Sequence, residues 1–202
     1  MKKTLLVLPL VLIASALGLA ACGGGGSSSS GGGDDEAAIE STIEEAATST
    51  DPSKCTELQT EAFNQQDEGV PAKEATKVCE EAVKGTETPA ESVGVSDIEV
   101  NGETATANAE IQGSPLNNQT VEVELAKQGG DWKLNKFVGF AKYDAKGLAA
   151  AFEEELAKQE EITPALAKCL AEGIAKMPQN EAEALAFEGS TEGIEGLVEA
   201  CQ

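Results

Sequence analysis

Thr104-Ala105-Thr106-Ala107-Asn108-Ala109-Glu110-Ile111 and, a little further on, Val121-Glu122-Val123-Glu124-Leu125 set small or apolar residues strictly against polar ones. A period of two sends successive side chains to opposite faces of a sheet, so these are half-buried strands. Asn101-Gly102 lies before the first run and Gly129-Gly130 after the second, and both dipeptides suit tight hairpin turns. Working outward, the pattern predicts four strands, about 92–100, 103–112, 119–127 and 131–140, in an antiparallel meander with one face against helices. Glu99, Glu110, Glu122 and Glu124 fall opposite the apolar set, and the strand carboxylates, Asp97 included, are expected in water in preference to the alternative that Asp97 or Glu99 reaches a cavity as a base.

On both sides of the strands the period lengthens to that of helices. Ile39, Ile43 and Ala47 recur every fourth residue in a helix predicted over 34–48. Asp51-Pro52, a cap followed by proline, opens a second helix with Cys55, Leu58 and Ala62 on one face. Pro71 opens a third that directs Ala75, Cys79, Ala82 and Val83 inward. After Asp144 the repeat returns in Leu148, Phe152 and Leu156, then in Ile162, Leu166, Leu170 and Ile174 around the cap Thr163-Pro164. Asn180 and Glu183 have capping-box spacing for a short helix, and Ile194, Leu197, Val198 and Cys201 form a last apolar edge. The expected fold class is α+β: N-terminal helices on a four-stranded antiparallel sheet within 34–142, followed by a small helical subdomain over 143–202.

The start of the chain reads as an address. Lys2 and Lys3 precede a short apolar run interrupted by Pro9, which is the layout of an export signal rather than of a permanent span. Leu19-Ala20-Ala21-Cys22 resembles the bacterial lipobox. That resemblance implies cleavage after Ala21 and acyl chains on Cys22, the new N-terminus. The following Gly23 to Gly33 contains only glycine and serine and is expected to be a flexible tether, with an r.m.s. reach of about 18 Å. The expected divisions are therefore 1–21 signal peptide, 22–33 lipidated cysteine and tether, then the folded body.

Composition narrows the chemistry. Loss of Lys2 and Lys3 takes the formal charge from −22 to −24, which repels nucleic acid phosphates and anionic headgroups, so attachment to a membrane falls to the lipid. Histidine and arginine are both absent, removing the commonest general base and metal ligand and the bidentate fork for anions. Beyond Cys22, Cys55, Cys79, Cys169 and Cys201 make an even set in an exported chain, and two disulfides are expected. Three pairings are possible. Cys55 with Cys79 and Cys169 with Cys201 is preferred, because each pair then lies within one group of helices.

Acidic, alanine-rich helices followed by an antiparallel meander are similar to the nuclear transport factor 2-like fold. The residues that carry this are Asp51-Pro52-Ser53-Lys54-Cys55, Val100-Asn101-Gly102-Glu103-Thr104-Ala105 and Gly130-Asp131-Trp132-Lys133-Leu134. Exported actinobacterial lipoproteins have similar elements. The resemblance covers about 35–142 and implies a sheet curled around a pocket, in which some family members place Asp, His and Tyr for isomerase or dehydratase chemistry. This chain departs from that set, with no histidine and Tyr143 alone.

No catalytic, cofactor-binding or metal-binding residue is expected. The acidic runs Asp34-Asp35-Glu36, Glu153-Glu154-Glu155 and Glu160-Glu161 lack a calcium-loop pattern and read as solvated helix faces. Ser96 and Ser190 lie in no nucleophile elbow. Trp132, Phe137 and Phe140 read as core. The leading expectation is a lipid-anchored, outward-facing protein of the cell membrane, or of an outer membrane in a two-membrane cell. Its body would be a non-catalytic module for a small apolar ligand or an envelope protein. The alternatives are a carboxylate-dependent isomerase- or dehydratase-like enzyme and a structural polyanionic coat.

Overall fold

The alternating segments pair as one sheet in a computed structural model that describes residues 33–85, 89–113, 116–159, 162–188 and 192–201. The predicted signal peptide, Cys22 and all but the last residue of the predicted tether lie outside the described residues. The strands β1 (Ser92–Asn101), β2 (Thr104–Gln112), β3 (Thr120–Gln128) and β4 (Asp131–Lys142) are antiparallel and neighbour one another in chain order. Eight helices are present among the described residues, four before the sheet and four after it. The body is thus α+β. Ala105, Ala107, Ala109 and Ile111 of β2 and Val121, Val123 and Leu125 of β3 all face the core, as their period requires.

Helix α1 (Gly33–Thr48) opens with Asp34, Asp35 and Glu36, acids that suit the positive end of a helix dipole. It buries Ile39, Thr42 and Ile43 against the sheet. Asp35 also accepts hydrogen bonds from Lys127 Nζ at 2.6 Å and Trp132 Nε1 at 2.9 Å, fastening the helix start to the β3–β4 hairpin. These two donors hold its carboxyl below the ordinary 3.8.

The second predicted helix is in fact two, α2 (Lys54–Glu57) and α3 (Glu61–Glu68). Between them the chain is borrowed by the sheet: Leu134 N–H donates to Leu58 O at 2.8 Å, and Thr60 N–H donates to Leu134 O at 2.9 Å. The break resets the helical phase. Thr60 Oγ1 caps α3 by accepting from Phe63 N–H at 3.1 Å, so Phe63 and Asn64 turn inward while Ala62 is exposed. Helix α4 (Ala72–Gly85) buries Ala75 and Cys79 as expected, and leaves Ala82 and Val83 half-buried. Disulfides Cys55–Cys79 and Cys169–Cys201 join α2 to α4 and α6 (Pro164–Ile174) to the end of α8 (Glu192–Ala200).

After the sheet come α5 (Ala145–Ala157), α6, α7 (Gln179–Phe187) and α8. Asp144 caps α5, and the fully buried Gln119 clamps that cap, its Oε1 accepting from Asp144 N–H and its Nε2 donating to Asp144 O. Thr163 caps α6 by accepting from Leu166 N–H, with Pro164 in the first turn. The capping box expected at Asn180 and Glu183 does not form, and Pro178 stands at the N-cap instead. Glu183 is drawn to the sheet, where its Oε1 accepts from Phe140 N–H at 2.8 Å. Gly139 makes room for it, since a Cβ there would lie 2.8 Å from the same oxygen.

Glu183 belongs to a general arrangement. β4 is an edge strand, and unpaired edges invite other chains. Gln66 offers its side-chain amide as a substitute strand, Oε1 accepting from Phe137 N–H and Nε2 donating to Phe137 O, and Gln179 Nε2 donates to Phe140 O. Phe63, Phe137, Phe187 and Phe140 continue the same link in ring contacts of 4.6, 5.1 and 4.8 Å. Much of the final helical segment therefore shares the main core, and Leu156, Ala167 and Leu170 make a small second cluster.

Candidate functional site

Where α1 crosses the sheet, Ala46 and Ala47 meet Ala109 of β2, three methyl groups at positions that larger side chains would fill. The result is a hollow of about 40 Å³ on the helix-covered face of the sheet. Its other apolar walls come from Ile43, Phe63, Val93, Ile111, Val123, Leu134 and Phe137. Two polar residues reach it, Gln59 and Asp67. The turn between α2 and α3 places Gln59, whose Oε1 lies 3.3 Å from Cys79 Sγ; a disulfide sulfur carries no proton, so this is a contact only.

Asp67 comes from the last turn of α3, one turn beyond Phe63. Carbonyl oxygens crowd a helix C-terminus, and negative charge is disfavoured there. Two acids, Asp67 and Glu68, nonetheless occupy it before Gly69 closes the helix in the left-handed conformation at φ 61°. Burial pushes the Asp67 carboxyl from 3.8 up to about 8, and repulsion from Glu68 adds to this. Burial alone raises Glu68 to about 7. Glu68 is only 8% exposed, whereas Asp67 is half-buried and keeps some access to water. Asn64, one turn before Glu68, donates to Cys55 O at 2.8 Å and leaves its buried Oδ1 without a hydrogen-bond partner among the described residues.

The strand carboxylates stand outside this hollow. Asp97, Glu99 and Glu110 are exposed and Glu122 and Glu124 half-buried on the opposite face. Asp97 sits at a β-bulge with φ 51° and accepts from Asn108 Nδ2 at 2.9 Å; Glu124 accepts from Asn135 Nδ2 at 2.7 Å. Trp132, Phe137 and Phe140 are core residues, although Phe137 also walls the hollow. The acid at the hollow thus comes from a helix, and the strand acids lie away from it. The signal that could have found it is the pair of acids directly before Gly69, a helix end where acids do not belong.

A second cleft, about 580 Å³ and open to solvent, lies beside the start of α5 and includes Glu110, Lys142, Tyr143, Asp144 and Lys146. Two of its groups are engaged elsewhere: Tyr143 Oη donates to Met177 O at 3.1 Å and Asp144 caps α5. Among the described residues, no three histidine, cysteine or acidic side chains converge as metal ligands, and no helix is long and apolar enough to cross a membrane.

The raised carboxyl has a thermodynamic consequence. A folded-state pKa above the unfolded one gives stability that is complete below about pH 4 and is lost as pH rises through about 8. Each tenfold change in proton affinity is worth about 1.4 kcal/mol, and the water reaching Asp67 reduces the total. Asp67→Asn should therefore be nearly neutral at about pH 3.5 and stabilising by about 2–3 kcal/mol at about pH 8.5. Urea unfolding of both proteins at the two pH values checks this; an unchanging difference would mean that Asp67 titrates as an ordinary carboxylate. Comparison with known protein families, curated proteins and solved structures finds no match to this chain.

Proposed function

We propose that this chain is an exported bacterial lipoprotein, anchored through Cys22, whose nuclear transport factor 2-like body binds a small apolar molecule in the hollow on the helix-covered face of its sheet. The observation that carries the binding reading is the hollow itself, walled by apolar side chains from α1, α3 and all four strands and left open by Ala46, Ala47 and Ala109. Helices leading into a four-stranded meander support the fold-family reading. The lipobox and the glycine-serine tether support the anchor. Its lining, mostly apolar with a few polar groups, is of the kind that ligand sites have, and its small volume limits an occupant to a few heavy atoms.

Native mass spectrometry of the protein taken from its own envelope in mild detergent tests the reading. The expected result is a bound small molecule that Ala109→Leu, which fills the hollow, no longer retains. Wild type and Ala109→Leu with identical masses beyond the substitution would sink it and favour the polyanionic coat.

One observation favours the enzyme reading as well: Asp67 titrates near the working pH, where a general acid or base is most effective. Gln59 is the one other polar residue at the hollow, so a second proton-transfer group is missing among the described lining residues. An isomerase of this kind would speed deuterium exchange at carbons next to a ketone in D2O, and a binding module would not.

A further inference from the structure

Two lining side chains can donate into the hollow, a protonated Asp67 and the Gln59 amide, and no described lining residue is a cation. Across from Asp67, α1 contributes Ile43 and alanines, and every strand residue at the hollow is apolar. Glu68 is its titratable neighbour on α3. Helix α4, packed on α3, buries Ala75 and Cys79 and keeps Lys73, Glu74 and Lys77 exposed. No cation among the described residues therefore compensates an ionised Asp67, and its neutral form is the one the surroundings accept. A neutral carboxyl differs from a carboxylate in one decisive respect: it has a hydrogen to give.

We infer that the hollow receives a small uncharged molecule with an apolar body and a single hydrogen-bond acceptor, such as a ketone oxygen, which the Asp67 carboxyl engages as donor, and that ionising this carboxyl releases the molecule. This deepens the binding-module reading and rests on it. The size agrees: about 40 Å³ holds about three water-sized spheres, a group of a few heavy atoms. Specificity follows from what is left unpaired. A ligand oxygen facing a carboxylate finds only another acceptor, and a hydrocarbon of the same shape leaves the Asp67 hydrogen unsatisfied. An anion meets Glu68 and the excess of acids on the body, so it is excluded.

Acetone and isobutene are the probes, because they share a shape and differ in one oxygen. They are titrated into the mature chain carrying Cys22→Ala, so that no acyl chain competes, while the methyl resonances of Val123 and Ile111 are followed by NMR. Acetone should bind more tightly than isobutene at pH 6.5 and weaken about tenfold by pH 9, as a carboxyl half-ionised near pH 8 loses its hydrogen. Asp67→Asn keeps a donor at every pH, so it should bind acetone equally at both. Equal binding of the two probes at pH 6.5, or acetone binding that does not fall with pH, would overturn the inference and leave the binding module standing. Methylammonium binding that strengthens as pH rises would overturn it too, making the site one for amines. If neither acetone nor isobutene moves these methyl resonances at any pH, the binding reading itself fails.

Discussion

Cys22→Ala is expected to transfer the protein completely from the membrane to the soluble fraction while leaving its unfolding curve unchanged. Each acyl methylene contributes about 0.8 kcal/mol of membrane affinity, and two chains on one cysteine suffice for stable anchoring where one does not. The surface of the body is strongly acidic and is repelled by anionic lipid, and no described helix can span a bilayer. The fold should not notice the loss, because the helix that follows the tether is fastened independently by Asp35 to Lys127 and Trp132. Fractionation after a high-salt wash, with urea unfolding of the released protein, checks both halves. A variant that stays with the membrane would remove the lipobox reading.

The second large effect should come from opening Cys55–Cys79. Its partners are 24 residues apart, and in the chain-entropy model a loop of that size is worth about 3.5 kcal/mol. A domain of this kind has about 5–15 kcal/mol in all, so the double variant Cys55→Ala/Cys79→Ala should lose a substantial part of its stability. Cys169–Cys201, whose partners are 32 residues apart, should cost about as much when removed. The two differ in place. Cys55–Cys79 pins α2 beside the turn that carries Gln59 to the hollow, while Cys169–Cys201 ties α6 to α8, away from it. Unfolding curves of both double variants, each with a probe titration, are therefore expected to show similar losses of stability and a loss of probe affinity only in the first. A first variant that unfolds within about 1 kcal/mol of wild type would mean that packing of α3 and α4 already does the work assigned to the bridge.

Read by itself, the amino-acid sequence determined what is local. Strict alternation in β2 and β3 marks both faces of the sheet, because a period of two admits no other placement once one face is buried. The cap Thr163, the return of the helical repeat after Asp144 and the stripe of Ile39 and Ile43 were legible for the same reason, each being decided within a turn or two of chain. Tertiary structure alone decided the rest. No signal near Leu58 announces that Leu134 will take its carbonyl, yet that bond cuts one predicted helix in two and turns Phe63 inward in place of Ala62. Glu183 leaves a plausible capping box because an edge strand more than forty residues earlier offers it an unpaired N–H. Asp67 reads as one more acid in an acidic chain until α1 and the strands close over it; a carboxyl's proton affinity is set by the water and charges around it, and only folding places those.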